Sequence, residues 1–237
     1  MSIIFATLVM VQLTIACVTL YLHRSQAHRS VVFHPVVAHA MRFWLWLTTA
    51  MRTEEWVAVH RRHHQKSDQP GDPHSPQIYG IWTVLFKGVF LYKQAARDRV
   101  MIAQLSTGTP DDWIERHLYK QYNTLGIVLM LIIDLVLFGS WGWLVWAVQM
   151  LWIPINAAGL VNGLCHWWGY RNTDTKDTSR NLIPIDFWCG GEFLHNNHHA
   201  DGANACFRQR WWELDIGWVY ITILKSLGLA KVRNKHS

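Results

Sequence analysis

Apolar residues in this chain fall into two unbroken runs and several interrupted ones. Ser2 to Leu22 is 21 residues without a formal charge, enough to cross the ~30 Å hydrocarbon layer of a bilayer once. Thr124 to Val161 is a second run of 38 residues in which Asp134 is the only charge. Near its middle, Phe138-Gly139-Ser140-Trp141-Gly142 reads as a tight turn beside interfacial tryptophans. This run therefore predicts a helical hairpin, with Pro154 kinking its second arm. A cleaved signal peptide competes for the first run, but the basic leading segment it needs is missing. Val31 to Thr49, broken by His34, His39 and Arg42, and Ile81 to Tyr92, broken by Lys87, predict helices lying in the membrane interface. Asp134, an intramembrane carboxylate and so a functional candidate by default, sits near a helix end and is expected to reach the interface.

Charge placement orients these elements. Thirteen of the 22 Lys and Arg residues lie in 23–120 and nine in 163–237, with none in the hairpin turn. One span followed by a hairpin leaves both basic segments on the same side, which the positive-inside rule makes the cytoplasm. The expectation is a single all-α integral-membrane domain over 1–237 with about three transmembrane helices. A span at 2–22 and a hairpin at 121–162 would carry a cytoplasmic helical cap, formed by 23–120 and 163–237, that bears the histidines. In a bacterium this would be the inner membrane.

Composition agrees, with 51% hydrophobic and 16% charged residues. The net charge of +6 does not indicate nucleic acid, because the cations are dispersed among apolar runs without a nucleic-acid-binding motif. Anionic lipid head groups or an acidic partner suit it better. The four cysteines form no CxxC pair and give no support to a disulfide framework.

Nine of the 14 histidines fall into four places, all within the two basic segments. His23 and His28 form HRSQAH, His60, His63 and His64 form HRRHH, His166 ends NGLCH, and His195, His198 and His199 form HNNHH. Spacing of i, i+3, i+4 puts three imidazoles on one helical face. Two such groups and an HxxxxH supply too many nitrogens for one tetrahedral site, and the count suits two metals. An all-nitrogen set beside a membrane favours redox iron with open positions, though zinc and copper accept the same ligands. Isolated histidines (His34, His39, His74, His117, His236) are expected to be ordinary surface or core residues.

In order and in their relation to the spans, these boxes resemble the membrane-bound fatty acid desaturases, most closely the stearoyl-CoA desaturase branch. Glu55-Trp56 before His60 fits EWxxxHRxHH, and Asp72-Pro73-His74 fits a DPH stretch. Asn162 with His166 fits NxxxH, and Gly191-Glu192 with His195–His199 fits GExxHNxHH. The resemblance implies two iron ions held by His23, His28, His60, His63, His64, Asn162, His166, His195, His198 and His199, with Asn162 acting through water. It also implies a second span before the first box, where the chain has room for one.

Removing hydrogen from an unactivated methylene lies beyond side-chain acids and bases, so metal-bound oxygen would have to do it. The expected activity is oxygen-dependent desaturation of a fatty-acyl chain carried by CoA, acyl carrier protein or lipid, with electrons from a separate donor protein. Hydroxylation or acetylene formation at the same site, or a non-catalytic metal-binding membrane protein, are the alternatives. Tryptophan-rich stretches at 44–56, 141–152 and 211–218 are candidate walls for an acyl tunnel.

Overall fold

The computed structural model describes residues 2–233, so His236 lies outside the described residues. The chain is mostly helical, and each helix follows from its local sequence. Helix α1 (Ile3–Cys17) starts where the Ser2 hydroxyl accepts from the Phe5 N–H, the usual N-cap bond. It is apolar all round, the pattern of a core helix or one long enough to cross a membrane. It continues without a break into a π-wound segment, Val18–Ala27, so that 25 residues form one long apolar helix.

Helix α2 (Pro35–Thr49) begins on Pro35, whose fixed φ suits the first turn, and ends at Ala50 in the left-handed region. Helix α3 (Thr53–Lys66) carries Glu54 and Glu55 in its first turn and His63, His64 and Lys66 in its last, the arrangement the helix dipole favours. The short α4 (Pro76–Tyr79), α5 (Ile81–Ala95) and α6 (Arg99–Leu105) follow. The two interrupted runs are thus helical, except that residues 31–33 form a strand.

The second long apolar segment comprises α7 (Asn123–Phe138), a turn at Gly139–Trp141, and α8 (Gly142–Ile153), prolonged by another π-wound stretch, Pro154–Leu164. It folds back on itself. Gly139 takes φ 58° at the turn, and a Cβ on Gly142 would stand 2.5 Å from the Asp134 backbone. Small residues permit this approach, as they do between membrane helices generally. Pro154 marks the change from α to π winding. Asp134 does not reach an interface: it is fully buried and accepts from Gln149 Nε2 at 2.7 Å across the hairpin. The reason is the turn, which brings Gln149 of α8 directly onto Asp134 of α7.

Two small sheets supplement the helices. β1 (Val31–Phe33) pairs antiparallel with β4 (Ala230–Val232). β2 (Ile185–Asp186) pairs parallel with β3 (Leu214–Asp215). Near the C-terminal end come α9 (His195–Ala200) and α10 (Ile216–Ser226). Ile15, Cys17, Val18, Tyr21, Leu22, Leu45 and Ile153 form the core where α1, α2 and α8 meet. The histidines lie just beyond the end of this core. Of the tryptophans considered as tunnel walls, Trp141, Trp143, Trp211 and Trp212 face outward, while Trp44, Trp56 and Trp152 pack against the core.

Candidate metal centre

The first histidine pair depends on the π winding. Five residues apart on an α-helix are about 140° apart around the axis, which would point His23 and His28 away from each other. In the π-wound segment the His28 N–H bonds to the His23 carbonyl five residues back, at 3.0 Å, so the two side chains share a face. Their ring centroids are 4.8 Å apart. The HxxHH groups need no such device. His60, His63 and His64 ride on the last turns of α3, and His195, His198 and His199 on α9. His166 follows the end of the π-wound Pro154–Leu164 stretch.

These elements bring nine imidazoles into two groups. His23, His28, His60, His64 and His198 form one, and His63, His166, His195 and His199 the other, with nitrogens in each group within 4.8 Å of one another. Nε2 atoms face Nε2 atoms: His23 to His198 at 3.0 Å, His28 to His60 at 2.8 Å, His64 to His198 at 3.0 Å and His166 to His195 at 3.1 Å. His63 Nε2 and His199 Nε2 are buried without a partner.

Carboxylates set the tautomers. Nδ1 of His23 meets Glu192 at 2.6 Å, Nδ1 of His63 meets Asp72 at 3.0 Å, Nδ1 of His166 meets Asp68 at 2.9 Å, and Nδ1 of His199 meets Asp177 at 2.8 Å. A ring donating Nδ1–H to a carboxylate keeps its Nε2 lone pair free for a metal. Inward-facing lone pairs at about 3 Å repel one another unless a cation lies among them. The donor set therefore fits metal in each group.

The electrostatics point the same way. Burial, followed by the neighbouring imidazoles, holds His28, His60, His64, His195, His198 and His199 well below the usual histidine range. They are neutral, as ligation requires. Burial alone would raise the carboxylates, but pairing outweighs it: His63 takes Asp72 down to about 2, and His166 and His23 lower Asp68 and Glu192. Burial pushes the Cys165 and Cys189 thiols well up, so they stay protonated and do not compete for metal.

Around the site, Trp56 stacks on His60 at 4.9 Å, and Phe207 packs on His198 at 4.6 Å. The fully buried Arg24 lies under Phe207, makes a two-pronged pair with Asp215 at 2.8 and 2.9 Å, and donates to the Thr19 hydroxyl, which in turn donates to Glu192. Asn162 is half-buried at the end of the π-wound stretch, four residues before His166, and the two groups themselves are imidazole only. Asp68 and Asp177 were not legible in sequence, since nothing local marks them. His74 is a buried core residue, as expected, but it stacks on His63 at 4.5 Å, and its nitrogens lie close enough to His63 and Asp72 to form a third small ligand set. His34 caps α2, and His117 bonds the Trp113 carbonyl.

A long apolar helical scaffold with two imidazole groups at its end is the arrangement expected of a histidine-rich metal-binding protein with helices long enough to cross a membrane. Residues 1–222 match the Fatty acid desaturase family. Delta-9 acyl-lipid desaturase 2 of Arabidopsis thaliana is 32% identical over 220 residues, covering 90% of this chain and 68% of that protein. Delta-9 desaturase-like 3 protein of the same plant is 34% identical over 223 residues, covering 90% and 70%. The chain belongs to the fatty acid desaturase family and is an oxidoreductase, a desaturase.

Proposed function

We propose that this chain introduces a C=C bond into a fatty-acyl chain in an oxygen-dependent reaction at two irons, one in each imidazole group. The observation that carries this is the pair of groups itself: nine inward-facing imidazoles, four of them fixed through Nδ1 by carboxylates. Asn162 completes the ligand set through water. Bound iron would supply the oxygen-activating redox chemistry that an unactivated C–H bond demands. The chain's own residues do the rest. Glu192, Asp72, Asp68 and Asp177 hold the rings in register, and the buried surroundings of His63, His166 and His198 exclude bulk water.

The relatives' names support a lipid-linked acyl substrate and a delta-9 position. Three spans, α1 and the two arms of the hairpin, carry the histidine groups on the cytoplasmic side, as the charge distribution supports. Each turnover needs two external electrons, which a separate carrier delivers on the basic, cytoplasmic face. The test is gas chromatography of lipids from cells expressing the chain, with and without a His63→Ala control. A new monounsaturated acyl product that requires His63 supports the proposal. A hydroxylated or acetylenic product, or no lipid product, refutes it.

A further inference from the structure

The stretch 183–188 lies beyond the last long apolar helix, where the sequence places it in the cytoplasmic cap, yet its packing is different. Gln12, eleven residues before His23 in α1, donates from Nε2 to the Phe187 carbonyl at 2.8 Å. At the α-helical 1.5 Å per residue this contact is at most about 16 Å along the helix from His23, the π winding after Cys17 shortening it somewhat, which is still close to half the ~30 Å hydrocarbon thickness. On the other side, Trp188 donates from Nε1 to Asn156 at 2.7 Å and its ring lies 4.8 Å from that of Trp152. The stretch is thus wedged between α1 and the prolonged α8. It presents Ile183, Ile185, Phe187 and Trp188 outward, with Phe187 61% exposed.

We propose that 183–188 is a re-entrant edge whose exposed apolar side chains lie in the bilayer hydrocarbon beside α1 and α8. This rests on α1 and the hairpin spanning the membrane. Non-helical backbone survives at membrane depth only where its polar groups find partners in protein. Here Asp186 is fully buried and accepts from the N–H groups of Trp188, Cys189, Gly191 and Phe193 at 2.7–3.0 Å. The Pro184 carbonyl accepts from the Leu214 N–H at 2.8 Å, and the Phe187 carbonyl is met by Gln12. A glutamine inside an apolar span and a carboxylate closed over four amides are what such an edge requires, whereas a water-exposed loop needs neither. The edge is continuous with the apolar surfaces of the two helices that flank it, so the same hydrocarbon covers all three. It seats the histidine groups against the membrane, within lateral reach of a lipid-borne acyl chain.

The test uses the full chain carrying Cys206→Ser, to remove the partly exposed thiol, in vesicles of phosphatidylcholine and phosphatidylglycerol. Nitroxide labels at Phe187→Cys and, separately, Ile185→Cys are compared with Val136→Cys on the hairpin and Lys176→Cys on an exposed loop. Power saturation with oxygen and with a water-soluble nickel chelate reads depth. Labels at 185 and 187 should resemble that at 136, favouring oxygen over nickel. Both resembling the label at 176, while 136 remains oxygen-favoured, overturns the edge alone. Nickel access at 136 as well overturns the spans and the edge together.

Discussion

Replacing Glu192 by glutamine separates the role of its charge from that of its shape. The wild-type carboxylate accepts from His23 Nδ1 at 2.6 Å and from the Thr19 hydroxyl, with Arg24 at 3.9 Å. In the variant an amide oxygen still accepts from His23, but the bond is no longer charge-assisted. Hydrogen bonds to ionised groups contribute about 1.5–3 kcal/mol and neutral ones about 0.5–1.5, so the loss is about 1–2 kcal/mol. At about 1.4 kcal/mol per decade, metal affinity of the His23 group should fall about five- to thirtyfold, overlapping the lower part of the ~10–100-fold range seen when a carboxylate supporting a ligating histidine is removed. Arg24 retains its pairing with Asp215, so folding should survive. The assay is iron retention by purified protein against graded chelator, read by elemental analysis, with circular dichroism as the folding control. Glu192 touches no member of the His63 group, so that group should keep its metal while the His23 group empties. Loss from both groups in parallel, or unchanged retention in a folded variant, would refute the claim that Glu192 acts through His23.

His63→Ala and His198→Ala should each lower turnover by more than about 100-fold, beyond the usual cost of losing a supporting carboxylate, while membrane insertion, checked by alkaline extraction, is unchanged. Metal-free protein should lose stability as pH falls below ~6.5, because its depressed imidazoles stay neutral in the fold but are protonated in the unfolded chain. Each contributes about 1.4 kcal/mol per pH unit until its own lowered value is reached, which for His74 is about 3. The lowered Asp68, Asp72 and Glu192 add losses below ~4. Melting temperatures that hold steady from pH 8 to 5 would contradict this. Asp134→Leu should destabilise more than Asp134→Leu with Gln149→Leu, since the single change strands Gln149. Their coupling should be about 0.6–1.7 kcal/mol, and additive melting shifts would show that the pair does not interact.

What was legible in sequence followed the local periods. The charge-free run after Met1 and the Gly139 turn became α1 and the hairpin, and the two HxxHH groups sit on helices with their rings converging. Longer-range features left no such trace. Val31 pairs with Val232 and Asp68 meets His166, contacts set by tertiary packing between stretches with no local signal. Asp134 looked like an interfacial residue because its nearness to a helix end is visible in sequence and its partner across the hairpin is not. Asp72 and Glu192 stood out only because they fall in stretches shared with a known family. The 183–188 stretch falls in the cap by its place after the hairpin, and its contacts with Gln12 and Asn156 leave no mark in the local sequence.

The π winding reconciles two requirements that sequence spacing leaves in conflict. A span's length is set by the bilayer, and its rotation by packing of its apolar faces. Imidazole positions are set instead by the few ångströms that separate ligands around a metal. A continuous α-helix from Ile3 would carry His23 and His28 to different faces, and no rotation of the span could correct both. Widening the helix over Val18–Ala27 brings the HxxxxH pair onto one face while α1 keeps its α-helical register in the core. The same winding recurs over Pro154–Leu164, immediately before His166 and on the stretch that bears Asn162. Proline can start that change because its missing N–H frees the carbonyl it would have bonded. Both long apolar helices therefore switch winding where they approach the imidazole groups, and π-helical turns elsewhere in proteins also concentrate at functional sites. The HxxxxH spacing, awkward for an α-helix, is the sequence mark of that switch.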